Sequence, residues 1–413
     1  MPRPAGLFCA HTPVLTVALH GHLSAEFGLA GGAKATARLL HTVGCKVLPR
    51  DLTLATHQGR PNAINGLGLK TEATDPVQTK PQLDLVHTNP NILAANPELI
   101  NPEHLLAPLR IGYWAWELET FPEGWETFFN DYDEIWCPST FTAQALSQRS
   151  PIPVVAVPHL PDWARLDALR LQRNQRQDNA CVGQPPFRFL SLFDFWSTAE
   201  RKNPLGAIQA FQRAFPVDQA GQRPVELLIK TSSASQFPDA CQTLMEQCGA
   251  DPRIVWQHQH LTAAELDQLL LSADVLLSPH RSEGFGLVLA DAMAIELPVI
   301  ATGYSGNLEF MPPGSAELLP WKPQTIHKTC GDYRQGLYWA EPDPECTAQA
   351  MQRCVQHPQA LAAMAKTGAE AVRERLSAER LSAIVRQRLG TLLLHPSRRE
   401  LRAGLPTAQQ ALA

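Results

Sequence analysis

The sequence predicts an α/β protein built from two doubly wound domains that face each other across a central cleft. Three observations carry this prediction. The length of 413 residues corresponds to two or three domains at roughly 150 residues each. Short apolar runs of strand length alternate with helical patterns along most of the chain, as in sheets built from strand–helix–strand units. A polar, irregular stretch at 159–186, ending in Pro185-Pro186, splits the alternation into two blocks. The expected division is a first domain at 1–180, a second at 181–390 and a tail at 391–413. In such sheets ligands bind beyond the carboxyl ends of the strands.

In the first block, Val14–Leu19 is an apolar run of strand length. A glycine-rich segment follows, Gly28-Leu-Ala-Gly31-Gly32. Ala33, Ala37, Leu40 and Val43 then recur at helical spacing, closed by Gly44. Val47–Leu48 opens the next strand. Residues 56–80 are polar without a period and read as a loop. Leu83–His87, Arg110–Trp116 and Glu134–Cys137 are strands, and Pro151–Pro158 is a short strand between proline breakers.

The second block alternates more cleanly. Phe187–Leu192 is a strand, and Asn203-Pro204 is an N-cap followed by a residue suited to the first helical position. Ile208, Phe211 and Phe215 mark the apolar face of that helix. Val225–Lys230 and Arg253–Gln257 are strands, and Thr262-x-x-Glu265 is a capping box before Leu266, Leu269 and Leu270. Asp274–Ser278 is a strand, Gly286–Ile295 a helix and Pro298–Thr302 a strand, with Asn307 expected to cap the next element. Residues 311–338 read as a loop-rich excursion, and from about 345 the pattern is helical to about 395.

Composition excludes several classes. Hydrophobic residues make up 44% and charged residues 18%, enough for a large core and too apolar for disorder. The net charge of −5 leaves no global basic field, so nucleic acid is not expected as a partner. There are 9 Cys with no C-x-x-C, which suits neither a zinc ribbon nor a disulfide scaffold. Reduced thiols and a cytoplasmic location are the expectation. The N-terminus offers only Arg3 and no small-residue cleavage site, so no secretory leader is expected. No run approaches the ~18 apolar residues of a membrane span, which confines any membrane contact to the periphery.

The most informative stretch is Ser278-Pro-His-Arg-Ser-Glu283-Gly-Phe-Gly286-Leu-Val-Leu-Ala-Asp291. A strand ends, a glycine turn comes next and a helix begins. Gly284 and Gly286 allow backbone N–H groups to approach a ligand, and the helix points its positive end at the same spot. Glu283 and Asp291 place carboxylates beside this anion site for a hydroxyl-rich ligand. The alternative is an ordinary βα turn with a solvated acid. A second constellation adds weight. Asp194-Phe-Trp-Ser197-Thr-Ala-Glu-Arg201-Lys202-Asn203-Pro204 puts two cations just before a helix N-terminus, where they oppose the dipole unless an anion sits between. Lys230, at the end of the strand Val225–Lys230, faces the same side.

These residues carry a resemblance. Glu283-Gly-Phe-Gly-Leu-Val-Leu-Ala-Asp291, followed by Pro298-Val-Ile-Ala-Thr and Gly306-Asn-Leu-Glu309, resembles the E-x7-E signature of the family 4 retaining glycosyltransferases of bacteria. The Arg201-Lys202 turn resembles their donor-phosphate turn, and Gly28–Gly32 their N-terminal glycine loop, with Gly31 and Gly32 as substrate-binding residues. Ile111–Leu118, Trp136–Phe141 and Trp339–Asp343 resemble a bacterial subgroup. The resemblance implies the GT-B fold, two Rossmann-like domains with a nucleotide-sugar donor held mainly by the second. It implies that Glu283 contacts the donor sugar and that Phe285, Gly286 and Leu287 offer backbone N–H groups. Arg201 and Lys202 would hold the diphosphate, with Ser197 and Lys230 beside them, and Asp291, where the family has Glu, would bind ribose. The family's acceptor-side His is replaced here by Trp116 or Glu117. The implied acceptor is a glycan or a lipid-linked saccharide, with no metal and no cofactor.

Other candidates weigh less. Asp131-Tyr-Asp133 has the spelling of a D-x-D metal motif but lies in an acidic surface run. His258 and His260 lack partners at metal spacing. Trp114, Trp116 and Trp125 are either sugar platforms or core aromatics, and the latter is favoured. Two rival functions remain: a nucleotide-sugar epimerase of the same fold, and a non-catalytic nucleotide-sugar-binding protein.

Overall fold

The computed structural model describes residues 14–55, 80–100, 104–178, 186–217, 224–399 and 401. The first 13 residues, nearly all of the 56–80 loop, Pro185 and the end of the tail at 402–413 lie outside the described residues.

The first half runs β1 (Thr16–Gly21), α1 (Gly28–Thr42), β2 (Lys46–Asp51), β3 (Leu83–His87), α2 (Pro90–Ala95), β4 (Leu109–Tyr113), β5 (Glu134–Cys137), α3 (Thr140–Ser147), β6 (Val154–Ala156) and α4 (Trp163–Asp178). Its six strands form a parallel sheet in the order β2-β1-β3-β4-β5-β6. All residues of β1 and β3 are buried, as expected of strands covered on both faces.

The second half runs β7 (Phe187–Asp194), α5 (Ala199–Lys202), α6 (Pro204–Ala214), β8 (Val225–Ser232), α7 (Pro238–Gly249), β9 (Ile254–His258), α8 (Ala263–Ser272), β10 (Val275–Ser278), α9 (Leu287–Ala294), β11 (Val299–Thr302) and β12 (Glu317–Leu319). After these come β13 (Trp321–Thr325), β14 (Tyr338–Pro342), α10 (Pro344–Gln356), α11 (Pro358–Arg375) and α12 (Ala378–Leu393). The sheet order β12-β11-β10-β7-β8-β9 is the Rossmann order, and it reverses between β7 and β10. The Asn203 cap and the Thr262–Glu265 capping box form as predicted.

Three expectations are corrected, and one helix is added. The stretch read as irregular contains α4, whose Leu166 and Leu169 are buried on one face while the rest is strongly polar. Residues 238–249, to which the sequence reading assigned nothing, form α7 behind Pro238. The excursion at 311–338 contains β12 and β13, and β13 pairs antiparallel with β14 outside both main sheets. Asn307 does not cap a helix. It is buried in a short 3-10 turn, where its Nδ2 donates to Thr302 O at 3.1 Å and its Oδ1 meets His280 Nε2 at 3.2 Å.

Two helices stitch the halves together. Helix α4 lies on the second half, where Arg173 Nη1 donates to Ala273 O at 2.9 Å. Helix α12 returns to pack on α1, and Arg388 Nε reaches the buried Glu134 carboxylate of β5 at 3.0 Å. One continuous apolar cluster therefore includes Val17 and Leu40 of the first half, Leu289 and Met293 of α9, and Val385 of α12. Between the sheets, at the carboxyl ends of their strands, lies a cleft of about 1330 Å³.

Candidate active site

The strand-order reversal of the second sheet puts the turn after β7 next to the turn after β10. The first carries Arg201 and Lys202, the second Glu283, and the three meet. Arg201 Nη1 donates to Glu283 Oε2 at 3.2 Å and to Ser282 O at 2.7 Å, and its Nε donates to Ser197 O at 3.2 Å. Lys202 Nζ donates to Glu283 Oε1. Arg201 Nη2 stands 3.8 Å from Glu117 Oε1 of the first half. Arg201 is 4% exposed and Glu283 7%, so Glu283 is a buried ion-pair partner and not the surface-loop acid its turn suggested. Burial alone would raise the Glu283 carboxyl, but the Lys202 and Arg201 charges hold it down, to about 2. Burial lowers the Lys202 ammonium, with Glu283 opposing. Two cations face two carboxylates here, so an arriving anion must compete with Glu283 and Glu117 for the same charges.

The Glu283 turn is held from three sides. Its amide donates to Ser305 Oγ at 2.8 Å, and Gly306 N donates to its carbonyl at 2.8 Å. Gly306 is required by this approach, because a Cβ there would lie 2.0 Å from Gly284 O. From the first half, Ser139 Oγ donates to Gly284 O at 2.7 Å, and Ser282 Oγ donates to Glu117 O. Gly286, at φ +93°, ends the turn and caps α9. Gly284, Phe285, Gly286 and Leu287 all line the cleft. The segments 111–118 and 136–141 thus act as a tether for the Glu283 loop. Trp116 is buried, its Nε1 donating to Thr120 O at 2.7 Å and its ring packed 5.6 Å from Trp125. It forms part of the cleft wall.

Asp291 lies on α9, and its carboxylate is bound by Arg165 of α4, which also binds Asp267 of α8. Burial raises the Asp291 carboxyl and Arg165 opposes that. The side chain remains 26% exposed, toward the cleft. Lys230 and Ser197 also line the cleft, where burial lowers Lys230 against Asp194.

Gly31 and Gly32 are not in a loop. Helix α1 begins at Gly28, so both lie in its first turns. A Cβ on Gly31 would come 3.1 Å from Leu287 Cδ1 of α9, which brings the two helix N-termini together. A Cβ on Gly32 would lie 2.8 Å from His159 Cε1 and 2.9 Å from His87 Nε2. Those histidines stack on Tyr113, at centroid distances of 5.4 and 4.0 Å. Tyr113 OH donates to Val157 O at 2.7 Å, so it accepts from His159 Nδ1 at 3.2 Å and leaves Nε2 as the bare nitrogen. Burial keeps both imidazoles neutral, His159 down to about 3 and His87 well below its usual value.

Sequence reasoning missed Arg165, His87, His159 and Tyr333 as cleft residues. The Leu166–Leu169–Arg173 spacing on one helical face was the available signal for α4 and its Arg165. His87 was visible as a strand end facing the cleft. Nothing local marks Tyr333. In the D-x-D spelling, Asp133 is occupied structurally, accepting from Arg110 N at 2.8 Å and Arg398 N at 2.6 Å. Among the described residues no three His, Cys, Asp or Glu side chains cluster as a metal site. No helix among them is long and apolar enough to cross a membrane, and the seven described cysteines are unpaired thiols.

Comparison with known proteins bears on the fold and the family. A D-inositol 3-phosphate glycosyltransferase of Arthrobacter sp. (strain FB24) is 31% identical over 134 residues, 32% of this chain. The match spans only 30% of that relative's length. Among solved structures, the sucrose-phosphate synthase of Thermosynechococcus elongatus aligns over 92% of this chain and 99% of its own, with a TM-score of 0.62 and 15% identity. A glycosyltransferase of Rickettsia africae aligns over 92% and 99%, with a TM-score of 0.61 and 13% identity. Anabaena HepE, in complex with UDP and glucose, aligns over 91% and 100%, with a TM-score of 0.58 and 13% identity. At these identities the likeness speaks for the fold, which is GT-B. The model of family 4 glycosyltransferases in conflict systems matches residues 164–384, from the start of α4 to α12 and just over half of the chain. With that match on the half that carries Arg201, Lys202, Glu283 and Asp291, the chain belongs to the family 4 glycosyltransferases.

Proposed function

We propose that the protein is a retaining glycosyltransferase that moves a sugar from a nucleotide-sugar donor to a hydroxyl of a glycan or lipid-linked saccharide, without a metal and in the cytoplasm. One observation carries this reading: two cations, a buried carboxylate and the N-terminus of α9 converge at the switch point of the second sheet, inside the cleft. The UDP-bound state of HepE and the activity in the Arthrobacter relative's name lend support. We assign the donor to the second domain, 181–390, and the acceptor to the first, 1–180.

In the proposed reaction the acceptor oxygen bonds to the anomeric carbon on the face the leaving group departs from. The bond from that carbon to the diphosphate oxygen breaks, and the acceptor's proton passes to the departing diphosphate. Negative charge develops on the diphosphate, and Arg201, Lys202 and the α9 N-terminus are preorganised to stabilise it. Glu283, released from its cations as phosphate takes them, is then free to accept from donor-sugar hydroxyls. Asp291, oriented by Arg165, accepts from ribose. Phe285, Gly286 and Leu287 present backbone N–H groups to the diphosphate.

Incubation with a panel of nucleotide sugars tests this. Slow donor hydrolysis that survives EDTA is the expected result. Interconversion of two nucleotide sugars, or binding without any turnover, would overturn the transferase reading. Loss of activity in EDTA restored by manganese would overturn the metal-free step.

A further inference from the structure

The connection from β13 to β14 is not a passive excursion. It closes into a tight tip, where Cys330 N donates to Tyr333 O at 3.0 Å and Tyr333 N to Cys330 O at 3.1 Å. Gly331, at φ +56°, makes the turn. The tip leaves the second half and reaches the first. Asp332 accepts from Asn91 Nδ2 at 2.7 Å, and Arg334 pairs with Glu123. Tyr333 OH donates to Glu117 Oε2 at 2.9 Å. The buried Tyr333 ring lies 5.6 Å from Trp116 and 6.1 Å from Trp339, and the Arg201 guanidinium carbon stands 5.8 Å from its centroid. Burial raises the phenol, so it stays protonated and remains a donor.

We propose that Tyr333 is a positioning residue that holds Glu117 off Arg201 and so keeps that guanidinium available to a donor diphosphate; this rests on the cleft being a nucleotide-sugar site. The nitrogens of Arg201 divide unequally. Nε and Nη1 are committed to Ser197 O, Ser282 O and Glu283. Nη2 faces Glu117 Oε1 at 3.8 Å, beyond hydrogen-bond range, while the other oxygen of that carboxylate is engaged by Tyr333. Without the phenolic donor, the strongest neighbour of Glu117 is Arg201. With Arg201 only 4% exposed, the two would close to a direct, charge-assisted pair. An incoming diphosphate would then have to break it. Tyr333 therefore sets anion affinity without touching the anion, by occupying its competitor.

The test is titration calorimetry of the full chain with UDP, ADP and GDP, followed by the same titrations on Tyr333→Phe, Glu117→Gln and the double variant. Tyr333→Phe keeps the ring and removes the donor, and should weaken the tightest nucleoside diphosphate by about tenfold. Glu117→Gln removes the competing charge and should tighten it. The double variant should match Glu117→Gln within roughly twofold, because the phenol no longer has a carboxylate to hold. Unchanged affinity in Tyr333→Phe would overturn the proposal. So would a loss that Glu117→Gln does not rescue, which would assign Tyr333 to packing alone. Failure of the unmodified chain to bind any of the three would instead refute the nucleotide-sugar reading, and the proposal with it.

Discussion

Glu283→Gln keeps the shape of the side chain and removes the charge that Arg201 and Lys202 share. A carboxyl held down from 4.5 to about 2 contributes about 3 kcal/mol to folding at neutral pH, at roughly 1.4 kcal/mol per unit. The sign comes from the depressed folded-state value. The contribution is fully present above pH 4.5 and is lost as pH falls toward 2. Urea denaturation of the variant should therefore show about 3 kcal/mol less stability at pH 7, with that gap roughly halved near pH 3. Ligand binding should move the other way. With Glu283 no longer competing, both cations are free for phosphate, so nucleoside diphosphate should bind more tightly to the variant than to the native chain. Turnover should nevertheless fall by about a hundredfold or more, because the carboxylate that meets the sugar is gone. Tighter diphosphate binding with lost turnover is a signature that simple unfolding cannot produce. A variant as stable as the native chain at pH 7, or one whose gap widens in acid, would refute the buried-pair argument. Turnover near the native rate would remove Glu283 from the chemistry.

Replacing both Arg201 and Lys202 with Ala removes two charge-assisted contacts of about 1.5–3 kcal/mol each, and nucleoside diphosphate affinity by calorimetry should fall well over tenfold. Unchanged affinity would take this turn out of the site. Asp291→Ala should raise the donor KM more than it lowers kcat, because ribose contacts are equal in the ground and transition states. Arg165→Ala should shift KM in the same direction, and steady-state kinetics that leave KM untouched in both would reduce the pair to a structural bridge. Gly32→Ala drives a Cβ into two buried imidazoles, at 2.8 and 2.9 Å, and should cost about 1–3 kcal/mol in urea denaturation. Gly28→Ala, with nothing within 4 Å of the new Cβ, should be tolerated, and equal stability of the two variants would refute the close-approach argument.

Most strands, the Asn203 cap, the Thr262–Glu265 box and the adjacency of a glycine turn to α9 were legible from the chain, because each depends on residues within a few positions of one another. The Arg201-Lys202 turn and the Glu283 turn were each legible as local patterns, and it was the family resemblance that joined them. Helix α4 escaped because its apolar face is narrow and its remaining surface strongly polar, so its period was hidden until the second half supplied something to bury it against. Gly31 and Gly32 read as a loop because glycine lowers helix propensity. Packing shows why glycine stands there: a Cβ would come 3.1 Å from Leu287 Cδ1 at Gly31, and under 3 Å from His159 and His87 at Gly32. Glu283 was legible as a cleft acid, but its burial between two cations depends on the reversal of strand order between β7 and β10, which no local pattern encodes. The hold of Arg165 on Asp291, 126 residues away, and of Tyr333 on Glu117, 216 residues away, belongs to the same class. Local sequence thus established which chemical groups the cleft contains. The fold chose which of them are paired, and hence which charges a ligand must displace, because pairing is set by distances between segments remote along the chain.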